Sequence, residues 1–281
     1  MALLPFRIVN VFTCDADPLS GNPLCVFESG EGLDTPTMQR VARQFNLSET
    51  TFLLPSSRAS ARIRIFTPSY EMEFAGHPTL GSAYVCRALG RSADDTTLEM
   101  PAGIIPVRAQ GQRWTLQANA PTWRPCDAPP DVLADMLGIA VGELEQPALW
   151  VNAGKQQLIV PLRSEAAVRS VRPSAEKLAA VGSGDGQSMA YVFAQRAPGR
   201  MLARFFFPSG GAVIEDPATG SATANLGGWL LATGRSLPQS FEISQGEYAG
   251  RPSTLFLTVD IERRIWVSGD VIELGRGTVT L

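Results

Sequence analysis

The stretch Ile214-Glu215-Asp216-Pro217-Ala218-Thr219-Gly220-Ser221-Ala222-Thr223-Ala224-Asn225-Leu226 has an echo in the first half of the chain. Laid over His77-Pro78-Thr79-Leu80-Gly81-Ser82-Ala83, the run from Asp216 to Ala222 matches at Pro, Gly, Ser and Ala in one frame, at an offset of 139 residues. Upstream, Phe66-Thr67-Pro68 and Phe206-Phe207-Pro208 each close an apolar run, at an offset of 140. Self-similarity at half the chain length reads as two related halves. Each copy passes from a polar residue through proline and small residues into an apolar segment, the form of a helix entered from a loop. His77 or Asp216 is expected near the N-cap, with the proline at the first helical position. A helix start offers unpaired N–H groups and about half a positive charge, so two such starts facing each other would make an anion site between the halves. The alternative is a pair of buried, glycine-rich helices with a packing role only.

A chain of 281 residues suits two domains, each large enough to bury a core. Hydrophobic residues make up 44% and charged residues 18%, the balance of an ordinary globular protein. A net charge of -3 and a pI near 5.4, with no block of like charge, argue against a nucleic-acid surface. No stretch approaches the roughly 20 apolar residues of a membrane span, and Met1 to Phe12 lack a basic start and a small-residue cleavage site, so the expectation is a cytoplasmic protein. Cys14, Cys25, Cys86 and Cys126 have neither C-x-x-C spacing nor a disulfide pattern, which fits a reducing compartment. With His77 the single histidine, zinc motifs such as H-E-x-x-H cannot form, and no metal site is expected. A Ser-His-Asp hydrolase would have to use His77, and no G-x-S-x-G elbow accompanies it. Gly182-Ser183-Gly184-Asp185-Gly186 resembles a dinucleotide loop but precedes the strand-like Met189 to Gln195 where a helix is required, so it reads as a surface turn.

In chain order, Phe6 to Thr13 and Leu24 to Glu28 read as a hairpin across the turn formers Asp17 to Pro23. Thr35-Pro36 opens an amphipathic helix, with Met38, Val41, Ala42 and Phe45 on one face, that stops at Asn46. Strands follow at Thr50 to Leu54 and Ala61 to Thr67, then the first echoed helix from Pro78 to about Leu89, with Gly90 as C-cap. Short strands from Thr97 to Ala118 complete the first half, and Pro121 to Pro130 reads as a proline-rich connection. The second half is expected to hold a helix at Asp131 to Leu137, a hairpin at Leu149 to Asn152 and Gln157 to Leu162, and a helix capped by Ser174. Strands at Met189 to Gln195 and Leu202 to Phe207 then lead to the second echoed helix, ending at Gly234. The tail from Phe241 is strand-rich, with a loop at Gln245 to Ser253. The same order of strands and helices in both halves indicates α+β domains, each wrapping a sheet around a buried helix. Glu49 stands where the early helix gives way to a strand; spacing alone reads it as a solvated glutamate at a strand end.

Taken together, V-N-V-F-T with G-N-P-L-C-V-F, N-L-S-E-T-T-F, F-T-P-S-Y-E-M-E-F-A-G-H-P-T-L-G, E-D-P-A-T-G-S-A-T-A-N-L and Q-G-E-Y-A-G-R-P-S resemble the phenazine-biosynthesis PhzF-like family, within the diaminopimelate epimerase fold. The motifs span nearly the whole chain. The resemblance implies two similar domains, each a mostly antiparallel sheet around a central helix: residues 1–119 with a returning strand at about 270–281, and residues 120–269. It implies an active site in the cleft between them, commonly a homodimer, and acid–base isomerisation of a small carboxylic acid without metal or organic cofactor. Carried over motif by motif, Glu49 is the proton carrier, His77 and Asp216 position the substrate or assist proton transfer, and Gly76, Gly220 and Ser221 hold its carboxylate. The related two-cysteine epimerases carry thiols at positions that align with Ala75 and Thr219, neither of which can be a thiolate base. A two-base epimerase using Glu49 and Asp216, and a small-carboxylate binding protein that has lost the chemistry, stand as alternatives.

Overall fold

A computed structural model describes residues 3–182 and 188–281, and it is rich in strand with few helices. The turn read at residues 182–186 lies, apart from Gly182, outside the described residues. The chain divides into two compact units, Met1–Gln117 with Ser268–Leu281, and Ala118–Val267.

In the first unit the strand Leu3–Val11 pairs antiparallel with Asn22–Phe27 and, on its other side, with the last residues of Ile265–Thr280. Asn22–Phe27 runs parallel to Glu49–Leu54, the crossover being helix α1 (Thr35–Phe45). Asp34 caps α1 by accepting from the Thr37 N–H, and Asn46 ends it in a left-handed conformation at φ 51°. Met38, Val41 and Ala42 face Phe27, Phe52 and Phe66, so the expected apolar face is the buried one. Glu49–Leu54 pairs antiparallel with Ala61–Phe66, which has the short strand Glu71–Met72 on its antiparallel side and Asp95–Met100 parallel to it. Gly103–Gln110 and Arg113–Gln117 follow antiparallel, and Arg113–Gln117 joins Ile265–Thr280. The strands thus close on themselves and leave no free edge in the ring. Helix α2 (Gly76–Ala88) lies against strands all round this ring. Its sequence fits that place: ten of its 13 residues are buried and they fall on every side.

The second unit holds α3 (Pro130–Leu137), α4 (Glu165–Ser170), α5 (Ala175–Ala180) and α6 (Gly220–Ala232). Its strands repeat the order of pairings. Leu149–Asn152 and Gln156–Pro161 are antiparallel, Gln156–Pro161 and Ala190–Ala197 parallel, and Ala190–Ala197 and Arg200–Ser209 antiparallel. Arg200–Ser209 then has Ala212–Asp216 antiparallel and Gln239–Gln245 parallel to it, and Ser253–Val259 completes the series. Helix α6 is, like α2, 13 residues long and buried over eleven of them. Thr122–Pro125 is a strand inside the expected proline-rich connection, paired with Leu149–Asn152; prolines at its ends disguised it.

The two helix starts depart from the frame of the sequence echo. Ala75 is the N-cap of α2, so His77 and Pro78 are its second and third residues, and Pro78 is not the first. Thr219 is the N-cap of α6, which leaves Asp216 and Pro217 outside the helix. Asp216 is paired with Phe205, and that pairing holds the backbone extended past the point where a helix was expected to begin. Counted from the caps, the halves correspond at 144 residues, with Gly76 matching Gly220 and His77 matching Ser221. Gly81 and Ser82 lie inside α2, whereas Gly220 and Ser221 open α6.

Gly81 has a packing reason of its own: a Cβ there would stand 2.6 Å from Leu24 Cδ2 and about 3 Å from Val9 and Val11. Gly81→Val should therefore destabilise the fold by about 2 kcal/mol or more, the cost of overpacking a closed core. Gly142→Ala, where an added Cβ meets nothing within 4 Å, should change stability by less than about 0.5 kcal/mol. Urea denaturation compares them; equal midpoints would show that α2 is not enclosed.

Candidate active site

Polar side chains gather at the start of each buried helix. In the first unit Glu49 begins its strand directly after the left-handed Asn46 and two loop residues, which turns its side chain onto the face occupied by α2. Its side chain is only 15% exposed, not the solvated strand end that spacing suggested, and Oε2 lies 3.3 Å from His77 Nε2. The contact is close but off the line of a full hydrogen bond. His77 is buried, and a ring N–H donates to the Pro23 carbonyl. Desolvation outweighs that bond and lowers the imidazole pKa to about 3, so at neutral pH the ring is uncharged. Since Nε2 is the nitrogen facing Glu49, the N–H on Pro23 is Nδ1, and Nε2 carries the lone pair. The ring therefore does not serve Glu49 as a cation; it can accept a hydrogen bond from a proton that the carboxyl has taken up.

Tyr70 stands at the same end of this sheet. Thr67, the residue after the strand Ala61–Phe66, bonds through its N–H and Oγ1 to the Tyr70 carbonyl, and the phenol is pushed up by burial and by the Glu49 charge.

In the second unit Asp216 ends the strand Ala212–Asp216 and accepts a short hydrogen bond from Thr219 Oγ1. Gln245 fastens both: its Nε2 donates to the Asp216 carbonyl at 2.9 Å and to Thr219 Oγ1 at 3.0 Å, and its Oε1 accepts from the Thr219 N–H at 3.4 Å. Thr219 thus receives from Gln245 and gives to Asp216. Gly246, at φ 82°, lets the loop pass so near Pro217 that a Cβ would be 2.5 Å from its carbonyl oxygen. Neighbouring Glu215 forms a two-pronged pair with buried Arg204, at 3.0 and 2.6 Å, which ties the strand that carries Asp216 to its neighbour. Neither N-cap residue, Ala75 of α2 or Thr219 of α6, caps its helix with its own side chain, and Gly76 and Gly220 are the first residues of the two helices.

Glu49 and His77 are in contact, and Asp216 is grouped with Thr219 rather than with the helix it was expected to cap. Ser221 Oγ accepts from Gln157 Nε2. Sequence reasoning missed Gln245, Gln157 and the Pro23 carbonyl. Gln245 had a signal, since it opens the Q-G-E-Y-A-G-R-P-S motif, one of those that carry the family resemblance, to which no site role was given. Ala75 and Thr219 are the two N-caps, so the places of the absent thiols correspond, while Cys25 and Cys86 are buried with raised pKa values. Among the described residues no group of three or more His, Cys, Asp or Glu could hold a metal ion, and no helix is long and apolar enough to cross a membrane.

In the first unit, a carboxyl in contact with a neutral imidazole is an arrangement able to hold and release a proton. The chain belongs to the family of phenazine biosynthesis-like proteins, whose model matches residues 9–275. It is 36% identical, over 98% of its length and 99% of the relative's, to trans-2,3-dihydro-3-hydroxyanthranilate isomerase of Pseudomonas chlororaphis. The structure resembles a phenazine biosynthesis protein of the PhzF family from Bacillus anthracis, with a TM-score of 0.87, 25% identity and 100% of both chains covered. A hydroxyproline epimerase from Agrobacterium vitis shares the fold at a TM-score of 0.66 and 15% identity, over 99% of this chain and 93% of its own. The protein is an isomerase.

The single histidine makes the electrostatics directly measurable. Its folded pKa is depressed from 6.5 to about 3, so the native state binds fewer protons than the unfolded chain between those values. This stability contribution is complete above pH 6.5 and is lost as pH falls toward 3. The ring resonances of His77 should not titrate between pH 8 and about 5 in the folded protein. A midpoint near 6.5 would show a solvated ring.

Proposed function

We propose that the protein is an acid–base isomerase that moves a proton between carbons of a small carboxylic acid, using its own side chains without metal or organic cofactor. Glu49 takes the proton from carbon and returns it. The observation that carries this reading is the Glu49–His77 contact: a largely buried carboxyl beside a ring nitrogen that can accept a hydrogen bond from it. Shielding from water keeps a captured proton from being lost before it is delivered.

Asp216 is assigned to positioning the substrate's polar groups, with Gly76, Gly220 and Ser221 holding its carboxylate. The first turns, which neither N-cap side chain caps, support that assignment, because N–H groups at a helix start stabilise negative charge. The two units are assigned to the two similar domains of the diaminopimelate epimerase fold, supported by their matching order of strand pairings and 13-residue buried helices. The substrate class follows from the relatives: a hydroxylated, unsaturated ring acid, with trans-2,3-dihydro-3-hydroxyanthranilate as the first compound to test.

Glu49→Gln preserves size and removes the basic carboxylate. It should remain folded by circular dichroism, still bind a carboxylic acid, and lose about 100-fold or more of isomerisation and of C–H exchange with deuterated water. Asp216→Asn should act mainly on KM, whereas His77→Asn, which removes the acceptor for the proton on Glu49, should lower kcat by less than Glu49→Gln does. A Glu49→Gln enzyme at the wild-type rate beside an inactive Asp216→Asn would move the base to Asp216. A wild type that binds carboxylic acids but neither isomerises nor exchanges a proton of any of them would make the protein a binder. Exhaustive dialysis against a chelator should leave turnover unchanged.

A further inference from the structure

A chain of side-chain hydrogen bonds runs beside the start of α6, and groups that cannot reverse set its direction. The Ala153 backbone N–H can only donate, and it bonds Asn225 Oδ1 at 2.7 Å. The Lys155 carbonyl can only accept, and it takes Asn225 Nδ2 at 2.8 Å. These two anchors fix which end of the Asn225 amide is oxygen. Nδ2 has a second proton, given to Gln157 Oε1 at 2.7 Å, so the far end of Gln157 must be its nitrogen. Gln157 Nε2 donates to Ser221 Oγ at 3.0 Å. Asn225 is 0% and Gln157 1% exposed, so no bulk water is present to relax the chain into another arrangement. A hydroxyl that accepts from Gln157 keeps its own proton to give elsewhere.

We propose that Asn225 and Gln157 are positioning residues that hold Ser221 as a hydrogen-bond donor to the substrate's carboxylate. Ser221 is the second residue of α6, in a first turn that the N-cap residue Thr219 does not cap with its side chain. It is partly exposed, so its hydroxyl proton can reach a ligand. The relay works by polarity: were either amide reversed, the Ser221 O–H would be drawn back onto Gln157 and offer the carboxylate a lone pair in place of a proton. The proposal rests on the reading of Ser221 as a carboxylate ligand.

Two near-isosteric substitutions reverse the relay. Asn225→Asp still accepts from Ala153 but donates nothing, so Gln157 turns its nitrogen inward and its oxygen to Ser221. Gln157→Glu accepts at both ends and captures the Ser221 proton directly. Calorimetry with anthranilate and with acetate, on full-length variants shown to be folded by circular dichroism, reads the effect. Each variant, like Ser221→Ala, should weaken anthranilate binding about tenfold. In turnover assays the loss should fall on KM and leave kcat near wild type. Added to Ser221→Ala, either substitution should cost nothing further, because the group it acts through is gone.

That double variant also separates the relay from direct repulsion by the new carboxylate. Repulsion would weaken Ser221→Ala by the same factor again, and such additivity overturns the proposal, as does wild-type affinity in both single variants. Should Asn225→Asp fail to fold, Gln157→Glu alone and in the Ser221→Ala background decides the matter. A wild type that binds neither anthranilate nor acetate removes the carboxylate reading itself, and with it this proposal.

Discussion

Helices α2 and α6 are each buried around almost the whole circumference, so neither holds in water without strands on several sides. That constraint shapes both units. Small residues let the strands close on the helix, as Gly81 shows against Leu24, Val9 and Val11. Once enclosed, α2 brings His77 into contact with Glu49, which is held at the start of its own strand in register with Leu24. The ring's partner, Pro23, belongs to the strand next to Glu49, so one sheet positions both members of the pair.

The electrostatics follow from enclosure. An imidazole with ample water would be half protonated near pH 6.5, and a carboxylate beside it would make a simple ion pair. Buried as it is, His77 stays neutral, and its Nε2, 3.3 Å from Glu49 Oε2, can accept a hydrogen bond from a protonated carboxyl there. The second unit uses neutral groups in a comparable way. Thr219, Gln245, Gln157 and Asn225 form hydrogen bonds whose donors and acceptors are matched, and these help hold Asp216 and Ser221 in place.

Much of this was legible in the residues. The caps and apolar face of α1, the first hairpin and the position of Glu49 between helix and strand all follow from local rules that tertiary packing did not override. The echo located both buried helices but set their starts wrongly, since Gly-Ser serves close packing inside α2 and the opening turn in α6. Identical letters met different requirements. The strand Ala212–Asp216 was missed because G-G-A-V-I-E-D lacks alternation; what makes it a strand is pairing with Arg200–Ser209. The relay to Ser221 was beyond reach for another reason, as its side chains are 64 and 68 residues apart and acquire their meaning only from contact.

The central claim is that one shielded carboxyl carries the proton from carbon to carbon. Single-turnover isomerisation in ordinary water, starting from trans-2,3-dihydro-3-hydroxyanthranilate deuterated at the carbon that loses its proton, tests it most directly. With Glu49 15% exposed and in contact with His77, the account predicts that a measurable part of the deuterium reappears at the carbon that is protonated. Product formed at the full rate with no retained deuterium at any temperature would mean that the proton passes to solvent, and the single-carrier account would be wrong.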